Sequence, residues 1–323
     1  MAETGTSGTG AAGFGAAGFG AAGTGAPAPA LVTEGLAVYR EGGGEPVLLM
    51  PQPGGLSLGP PVTHPLSGAL TDLGLGVVTF DPPGSYRSRR PPRLGMRELV
   101  GCAEETLAAL GLDQPVDVVG HGTGALGALS FALAAPYRVR RLVLVGGVAS
   151  STAIRRFRGV PYSWPLLSPS FWRFFWASHL LSSGRGNLAH HKRLMRMLIT
   201  AEYRDPALAP RPPQVRRGDR QRPAPLRDRW PASIGTLDLR TRLPGLFLPV
   251  LVCVGRYDPV TPVGAARELT SLLPDASLVV FERSGHHPFE EEPVAFRAAL
   301  GAFLRPDGRY LHPSGPDRLV AHG

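Results

Sequence analysis

Short apolar runs alternate with helical segments along most of this chain, and this alternation restricts the fold more than any other feature of the sequence. The helical segments include residues 96–112 and 292–304. The apolar runs are PVLLM (46–50), GVVTF (76–80), VDVVG (116–120), RLVLVGG (141–147), PVLVCVG (249–255) and SLVVFE (277–282). Largely apolar strands that alternate with helices are typical of parallel βαβ units. We therefore expect an α/β fold whose mostly parallel central sheet is covered by helices on both faces.

The alternation is interrupted between residues 151 and 235. The interrupting stretch contains SWPLLSPSFWRFFWASHLL and HHKRLMRMLITAEYRDP, which could form helices, followed by a run too rich in Pro and Arg for regular structure. An insertion between two core strands, above their carboxyl ends, covers the site that α/β folds place there. We therefore expect a core made of residues 31–150 and 236–305, with residues 151–235 as a helical lid or cap.

The two ends of the chain lie outside this pattern. The Gly- and Ala-rich repeat GAAGFGAAGFGAAGTG cannot bury enough apolar surface to offset its ordering entropy, so we expect residues 1–30 to be a disordered tail. This segment has neither the basic start nor the continuous apolar run of a secretory signal. We expect residues 306–323 to form a C-terminal tail.

The charge of the chain is strongly positive, but its composition weakens the case for a nucleic-acid partner. The formal net charge is +9, and all of the 34 basic residues except Lys192 are Arg. A composition rich in Ala, Gly, Pro and Arg indicates a high-GC genome, which explains part of the Arg excess. We expect no nucleic-acid partner. No apolar run reaches the roughly 20 residues of a spanning helix, so we expect no membrane partner either.

The cysteine content points to a reducing compartment. Cys102 and Cys253 both lie in apolar stretches, which favours buried free thiols and a cytoplasmic protein.

The most specific motif is VDVVGHGTGALGAL, in which a predicted strand is followed by a tight turn and a predicted helix. In this context the pattern G-x-S-x-G forms a nucleophile elbow, whose flanking glycines leave room around a strained central residue. Here the turn reads Gly120-His121-Gly122-Thr123-Gly124, so the central residue is glycine. A Gly-rich turn before a helix can also hold a phosphate, but the later motifs favour the elbow.

Two later motifs follow the elbow in the chain order nucleophile, acid, base. VCVGRYDPVTP places Asp258 after a buried strand, and ERSGHHPFEEEP places His286 after the next strand. Together with the elbow, these motifs resemble the α/β-hydrolase superfamily, and most closely its proline-iminopeptidase-like branch, over residues 31–305. The resemblance implies an α/β-hydrolase fold with Asp258 as the acid and His286 as the base. The base of that branch lies in G-H-x-P…E-x-P, which maps onto His286 and leaves His287 on a variable position.

The resemblance extends to the loop that supplies the oxyanion hole. LLMPQPGGL (48–56) aligns with a strand followed by H-G-G-P-G-G, with Met50 and Pro51 at the first two positions. In this fold the oxyanion donors are the backbone N–H after the nucleophile and one from this loop, which implies Thr123 and Gln52. VVTFDPPGSYRS (77–88) also matches D-x-[RP]-G-x-G-x-S, with Tyr86 in place of a glycine.

Glycine at position 122 decides which chemistry the chain can perform. A Ser-His-Asp hydrolase needs an elbow oxygen, and Thr123 cannot supply it because its side chain leaves the turn in another direction. Loss of the nucleophile costs about a million-fold in turnover in well-studied serine hydrolases, so we expect no acyl-enzyme chemistry.

Three accounts of this glycine remain open. The chain is an impaired variant, engineered or natural, of an active serine ester or amide hydrolase, or it is a hydrolase whose Asp258–His286 pair activates water directly. Alternatively, it is a ligand-binding or biosynthetic relative without hydrolytic chemistry. Retention of the acid and the base weakly favours the first two accounts.

The sequence gives less about the substrate. Trp172 and Trp176 lie four residues apart in the predicted lid, and we take them as candidate substrate-binding residues for a small-molecule, acyl or peptidyl substrate. The lid has few acids to hold a substrate amine, which weakens the case for prolyl peptides. An Arg-rich run between Arg216 and Arg229 is most simply a solvated loop, and otherwise a surface for an acidic partner such as a carrier protein. No metal-ligand spacing occurs, so we expect neither metal nor cofactor, and the sequence leaves the oligomeric state open.

Overall fold

The computed structural model describes residues 30–33, 35–52, 64–85, 87–89, 91, 94–157, 165, 168–182, 188–209 and 235–304. Within these residues, eight strands form one sheet. In chain order the strands are β1 (Leu31–Thr33), β2 (Leu36–Glu41), β3 (Pro46–Met50), β4 (Gly76–Phe80), β5 (Val116–His121), β6 (Val139–Val145), β7 (Val250–Gly255) and β8 (Ala276–Phe281). Their order across the sheet is β1-β2-β4-β3-β5-β6-β7-β8.

The sheet is parallel except at one edge. Strand β2 pairs antiparallel with both β1 and β4, whereas every pair from β4 across to β8 is parallel. Every residue of β4, β5 and β7 is buried, as expected for parallel strands that are covered on both faces.

Helices cover both faces of the sheet. The helices in chain order are α1 (Pro65–Thr71), α2 (Met96–Ala109), α3 (Thr123–Ala134), α4 (Ser151–Arg156), α5 (Pro169–Ser182), α6 (Leu188–Glu202), α7 (Val263–Leu272), α8 (Pro288–Glu291) and α9 (Pro293–Leu304). Successive side chains of a strand point to opposite faces, so Val118 packs with α2, α3 and α7 while Val119 packs with α1 and α9. The predicted α/β fold is therefore confirmed.

The carboxyl ends of the parallel strands bring the sequence motifs to one edge. Gln52 follows β3, Gly122 follows β5, Asp258 follows β7 and His286 follows β8. Because parallel strands end on the same side of a sheet, residues separated by more than two hundred positions become neighbours there.

Several structural features differ from the sequence-based expectations or add to them. The interrupting stretch contains the two expected helices, α5 and α6, while its Pro- and Arg-rich run from 210 to 234 lies outside the described residues, as do residues 1–29 and 305–323.

Both cysteines are free, but only Cys253 is buried, since Cys102 keeps partial solvent contact. No helix among the described residues has the length and apolar composition needed to cross a membrane.

Candidate functional site

The turn between β5 and α3 requires glycine at its two flanking positions. A Cβ atom on Gly120 would lie 2.4 Å from the carbonyl oxygen of Gly124, and one on Gly124 would lie 2.6 Å from the carbonyl oxygen of Met50. Both contacts are with backbone atoms, which cannot move aside without opening the turn. The sharp strand–turn–helix connection thus depends on these two glycines.

Gly122, at the centre of the turn, is under a different constraint. Its backbone has φ 54° and ψ −118°, in the region that side-chain-bearing residues rarely adopt. The atom nearest to a Cβ built at this position is Nε2 of His286, at 3.1 Å, followed by Nε2 of Gln52 at 3.6 Å. These nearest atoms belong to side chains, so a small group at position 122 would extend into a space between an imidazole and a carboxamide.

Asp258 is held in a fixed orientation by its own loop. Its Oδ1 accepts hydrogen bonds from the backbone N–H groups of Val260 and Thr261, each at 2.8 Å, and its Oδ2 accepts one from the Thr261 hydroxyl at 2.8 Å. The same Oδ2 lies 2.8 Å from Nδ1 of His286, and both side chains are buried. A buried carboxylate with these partners orients the imidazole, so that Nδ1–H donates to Asp258 while Nε2 faces Gly122.

The pairing also changes the acidity of both groups. Burial by itself would raise the pKa of Asp258, but the charge of His286 and the surrounding hydrogen bonds outweigh it and lower that pKa. Burial would likewise lower the pKa of His286, but the charge of Asp258 and the hydrogen bond to it raise that pKa. An imidazole of increased basicity, with Nε2 directed at Gly122, can accept a proton from a group bound between them.

The two adjacent histidines face different partners. The backbone N–H of His286 donates to the carbonyl of Glu202, the last residue of α6, at 2.7 Å. The His287 ring instead lies 2.9 Å from the Glu202 carboxylate through Nε2 and stacks on Tyr203 with centroids 4.3 Å apart. The structure therefore directs His286 toward Gly122 and His287 toward the end of α6.

Other residues selected from the sequence are placed as follows. The side chain of Gln52 extends toward Gly122. Thr123 is the first residue of α3, and the first N–H groups of a helix have no hydrogen-bond partner within the helix. The Thr123 hydroxyl is buried and has no hydrogen-bond partner among the described residues. Trp172 and Trp176 lie half exposed on α5, and their ring contacts in the described part of the chain are with residues of that same helix.

A family profile identifies the protein class to which this site belongs. The profile of the alpha/beta hydrolase fold matches residues 46–293. The chain belongs to the α/β hydrolase family.

Curated relatives of this α/β hydrolase include esterases. A pimeloyl-[acyl-carrier protein] methyl ester esterase of Aliivibrio salmonicida is 28% identical over 202 residues, which make up 60% of this chain and 70% of that protein. The protein of the same name from Nitrosomonas europaea is 31% identical over 186 residues, covering 57% of this chain and 69% of that protein. The chain thus spans about two thirds of the length of these relatives.

Solved structures show the same fold. An alpha/beta fold family hydrolase from Bacillus anthracis has a TM-score of 0.67 at 19% identity, covering 81% of this chain and 93% of that one. An esterase from Exiguobacterium antarcticum has a TM-score of 0.64 at 19% identity, covering 83% of this chain and 94% of that one. At such low identity the likeness concerns the fold alone.

The structure of this α/β hydrolase also adds residues that the motifs did not select. His121 and His64 form a second imidazole layer beside His286, and the rings of His121 and His286 lie 4.5 Å apart. Gly146, after β6, lies against the His286 ring, because a Cβ there would be 2.5 Å from Cε1. His121 could have been selected from its place inside the elbow, whereas His64 has no local motif. Across the described residues, no group of three or more His, Cys, Asp or Glu side chains is arranged to hold a metal ion.

Proposed function

We propose that this protein is an acyl-ester hydrolase in which Gly122 occupies the nucleophile position and the Asp258–His286 pair activates water directly. The observation that carries the proposal is the position of His286 Nε2, 3.1 Å from where a side chain of residue 122 would begin, on a ring bonded to a buried carboxylate. The base is therefore directed at the place of a nucleophile that the chain itself does not provide.

The proposed reaction proceeds without an acyl-enzyme. A water molecule beside Gly122 transfers a proton to Nε2 of His286 while its oxygen attacks the ester carbonyl carbon. The backbone N–H groups of Gln52 and Thr123 donate to the developing oxyanion. When the tetrahedral intermediate collapses, the C–O bond to the alcohol breaks, and the leaving oxygen takes the proton back from His286. The products are a carboxylic acid and an alcohol, and Asp258 stabilises the transient imidazolium.

The proposed substrate is a carboxylic ester rather than a prolyl peptide. The proline-iminopeptidase-like branch needs acids in the insertion to hold a substrate amine, but Glu202 is engaged by His287 and Asp205 caps a turn through Ala207 N–H. The esterase names of the relatives support an ester. Because those names specify acyl-carrier-protein substrates, we propose a carrier-bound acyl methyl ester as the first substrate to test.

The insertion 151–235 is proposed as the lid over this site. The end of α6 contacts the loop that bears the base, since Glu202 accepts the His286 backbone N–H and Arg204 N–H donates to Glu291 at 2.8 Å. Binding of acyl chains by Trp172 and Trp176 remains a prediction.

The experiment compares three versions of position 122 on esters of graded acyl length and on a methyl ester of an acyl-carrier protein. The natural glycine protein should turn over slowly, show no burst, form no covalent adduct with a fluorophosphonate, and lose its activity in His286→Ala. Gly122→Ser should react with the fluorophosphonate and gain up to about a million-fold in kcat. Gly122→Ala is the matched control, since it adds the same Cβ without a hydroxyl and should gain nothing.

Two results would contradict the proposal. Turnover that persists in His286→Ala would assign the activity to other groups. Binding of the esters with no turnover in the glycine protein and no gain in Gly122→Ser would favour the non-hydrolytic, ligand-binding alternative.

A further inference from the structure

A chain of hydrogen bonds through two histidines determines which atoms of Gln52 face the site. The chain begins at α1, where the backbone N–H of Leu66 donates to Nδ1 of His64 at 3.2 Å. Nδ1 of His64 is therefore an acceptor, so the proton of the neutral ring is on Nε2. That Nε2 lies 3.3 Å from Nδ1 of His121, so its N–H is directed at the single lone pair of that nitrogen as the longer of two contacts.

The other end of the chain leads to the same assignment. Nε2 of His121 lies 3.0 Å from the backbone carbonyl oxygen of His286, which can only accept. His121 therefore carries its proton on Nε2 and presents a lone pair at Nδ1. The ring stays neutral because burial, and then the charges of His286, His287 and His64, lower its pKa well below the usual value.

This tautomer fixes the orientation of the Gln52 carboxamide. Nε2 of Gln52 lies 2.9 Å from Nδ1 of His121, and only the NH₂ end of the amide can donate to a lone pair. One N–H of Gln52 is used in this bond. The Gln52 nitrogen also lies 3.6 Å from the position that a Cβ of residue 122 would occupy. Nε2 of His286 lies 3.1 Å from that same position.

We infer that the Gln52 side chain is a catalytic group that holds the attacking water beside Gly122. The second N–H of Gln52 donates to the water oxygen, and the water in turn donates to Nε2 of His286. One donor and one acceptor fix both the position and the orientation of the water, and the missing side chain of residue 122 provides its room. This role is separate from that of the Gln52 backbone N–H, and it rests on the proposed function in treating the water as the nucleophile.

The kinetic test is the substitution Gln52→Leu, made in two backgrounds. Leucine has a similar size but no donor, so in the glycine protein we expect kcat to fall by about 100-fold with little change in KM. In Gly122→Ser the hydroxyl takes the place of the water, so the loss in the rate of the acylation burst should be at least about tenfold smaller than the loss in the glycine protein. Similar losses in both backgrounds would overturn the inference, because they would indicate a general disturbance of the loop after β3.

A second measurement does not depend on turnover. A crystal structure of the glycine protein should show an ordered water about 2.7–3.2 Å from both Gln52 Nε2 and His286 Nε2, and the water should be lost in Gln52→Leu. ¹⁵N NMR of labelled histidine should show His121 protonated at Nε2, with an Nδ1 resonance that shifts in Gln52→Leu. A water that persists in Gln52→Leu, or a proton on Nδ1 of His121, would overturn the inference whatever the activity. If water and tautomer are as expected but the glycine protein shows no turnover dependent on His286, the proposed function fails while the water site stands.

Discussion

Replacing His64 with asparagine should make the stability of this protein less sensitive to acid. Burial, and then the charges of His287 and His286, lower the pKa of His64 to about 3, whereas the pKa of a histidine in an unfolded chain is about 6.5. Between these values the unfolded chain binds a proton at His64 and the folded chain does not. The free energy of unfolding therefore falls as the pH falls below about 6.5.

The size of this effect follows from the shift. Each pH unit between the two pKa values changes the free energy of unfolding by about 1.4 kcal/mol for one group. His64 keeps some solvent contact, so we count the decrease in the free energy of unfolding only over the first two pH units below 6.5. Down to about pH 4.5 this decrease is about 2.7 kcal/mol. His121 is more completely buried and acts in the same direction. Its pKa is lowered mainly by burial and by His286, which both proteins keep, so most of its contribution cancels in their difference.

The assay is urea denaturation of the natural protein and of His64→Asn at several pH values from about 7.5 to about 4.5. Asparagine keeps a side-chain acceptor for the Leu66 N–H at the start of α1, so the helix retains its cap. The natural protein should lose about 2.7 kcal/mol more than the variant over the two units below pH 6.5. If the free energy of unfolding had the same pH dependence in the two proteins, the reasoning would be refuted, because His64 would then take up its proton at the same pH in the folded and the unfolded chain.

Four further predictions concern the site and its support. Gly122→Ala and Gly122→Ser should each lower the free energy of unfolding by about 1–3 kcal/mol, measured in urea, because φ 54° with ψ −118° is costly for any side chain. In Asp258→Asn, the pKa of His286 followed by NMR should fall, because burial still lowers it after the carboxylate charge is lost. In the natural protein the hydrolysis rate should rise with pH above about 6.5, because His286 acts as a base only when it is deprotonated and its pKa is raised from that value. Asp117→Asn should cost about 3 kcal/mol in thermal or urea unfolding, because Arg141, buried beside it at 2.8 Å, would lose its counter-charge.

The sheet could be predicted in detail where its strands are buried on both faces. Strands β3 and β4 have the same bounds in the sequence and in the structure, because an uninterrupted apolar run leaves little freedom in where a strand starts and ends. Strand β1 and helix α8 were not predicted. With three and four residues, they are too short to show a period, and they form because neighbouring elements hold them.

The candidate site was predictable as far as its parts lie in local motifs. Gly122, Asp258 and His286 each stand in a recognisable turn, and the structure brings these three together. His64 could not be found in this way, since it lies 57 residues before His121 and contacts it only through the packing of α1 against the sheet. The direction of the Gln52 side chain was equally hidden, because it depends on the tautomer of a distant ring.

The three glycines of the elbow differ in which atoms an added side chain would meet, and this difference bears on why glycine stands at position 122. Gly120 and Gly124 are fixed by backbone atoms within 2.6 Å of any added Cβ, whereas at Gly122 the nearest atom is a side-chain nitrogen at 3.1 Å. A side chain at the centre of the turn therefore requires the His286 ring to shift by only a few tenths of an ångström, whereas one at Gly120 or Gly124 requires the backbone to move. Glycine there removes the strain that a serine would carry, while the connection from β5 to α3 holds the same backbone angles. If that connection sets the geometry, Gly122→Ser should retain φ near 54° and direct its hydroxyl at His286.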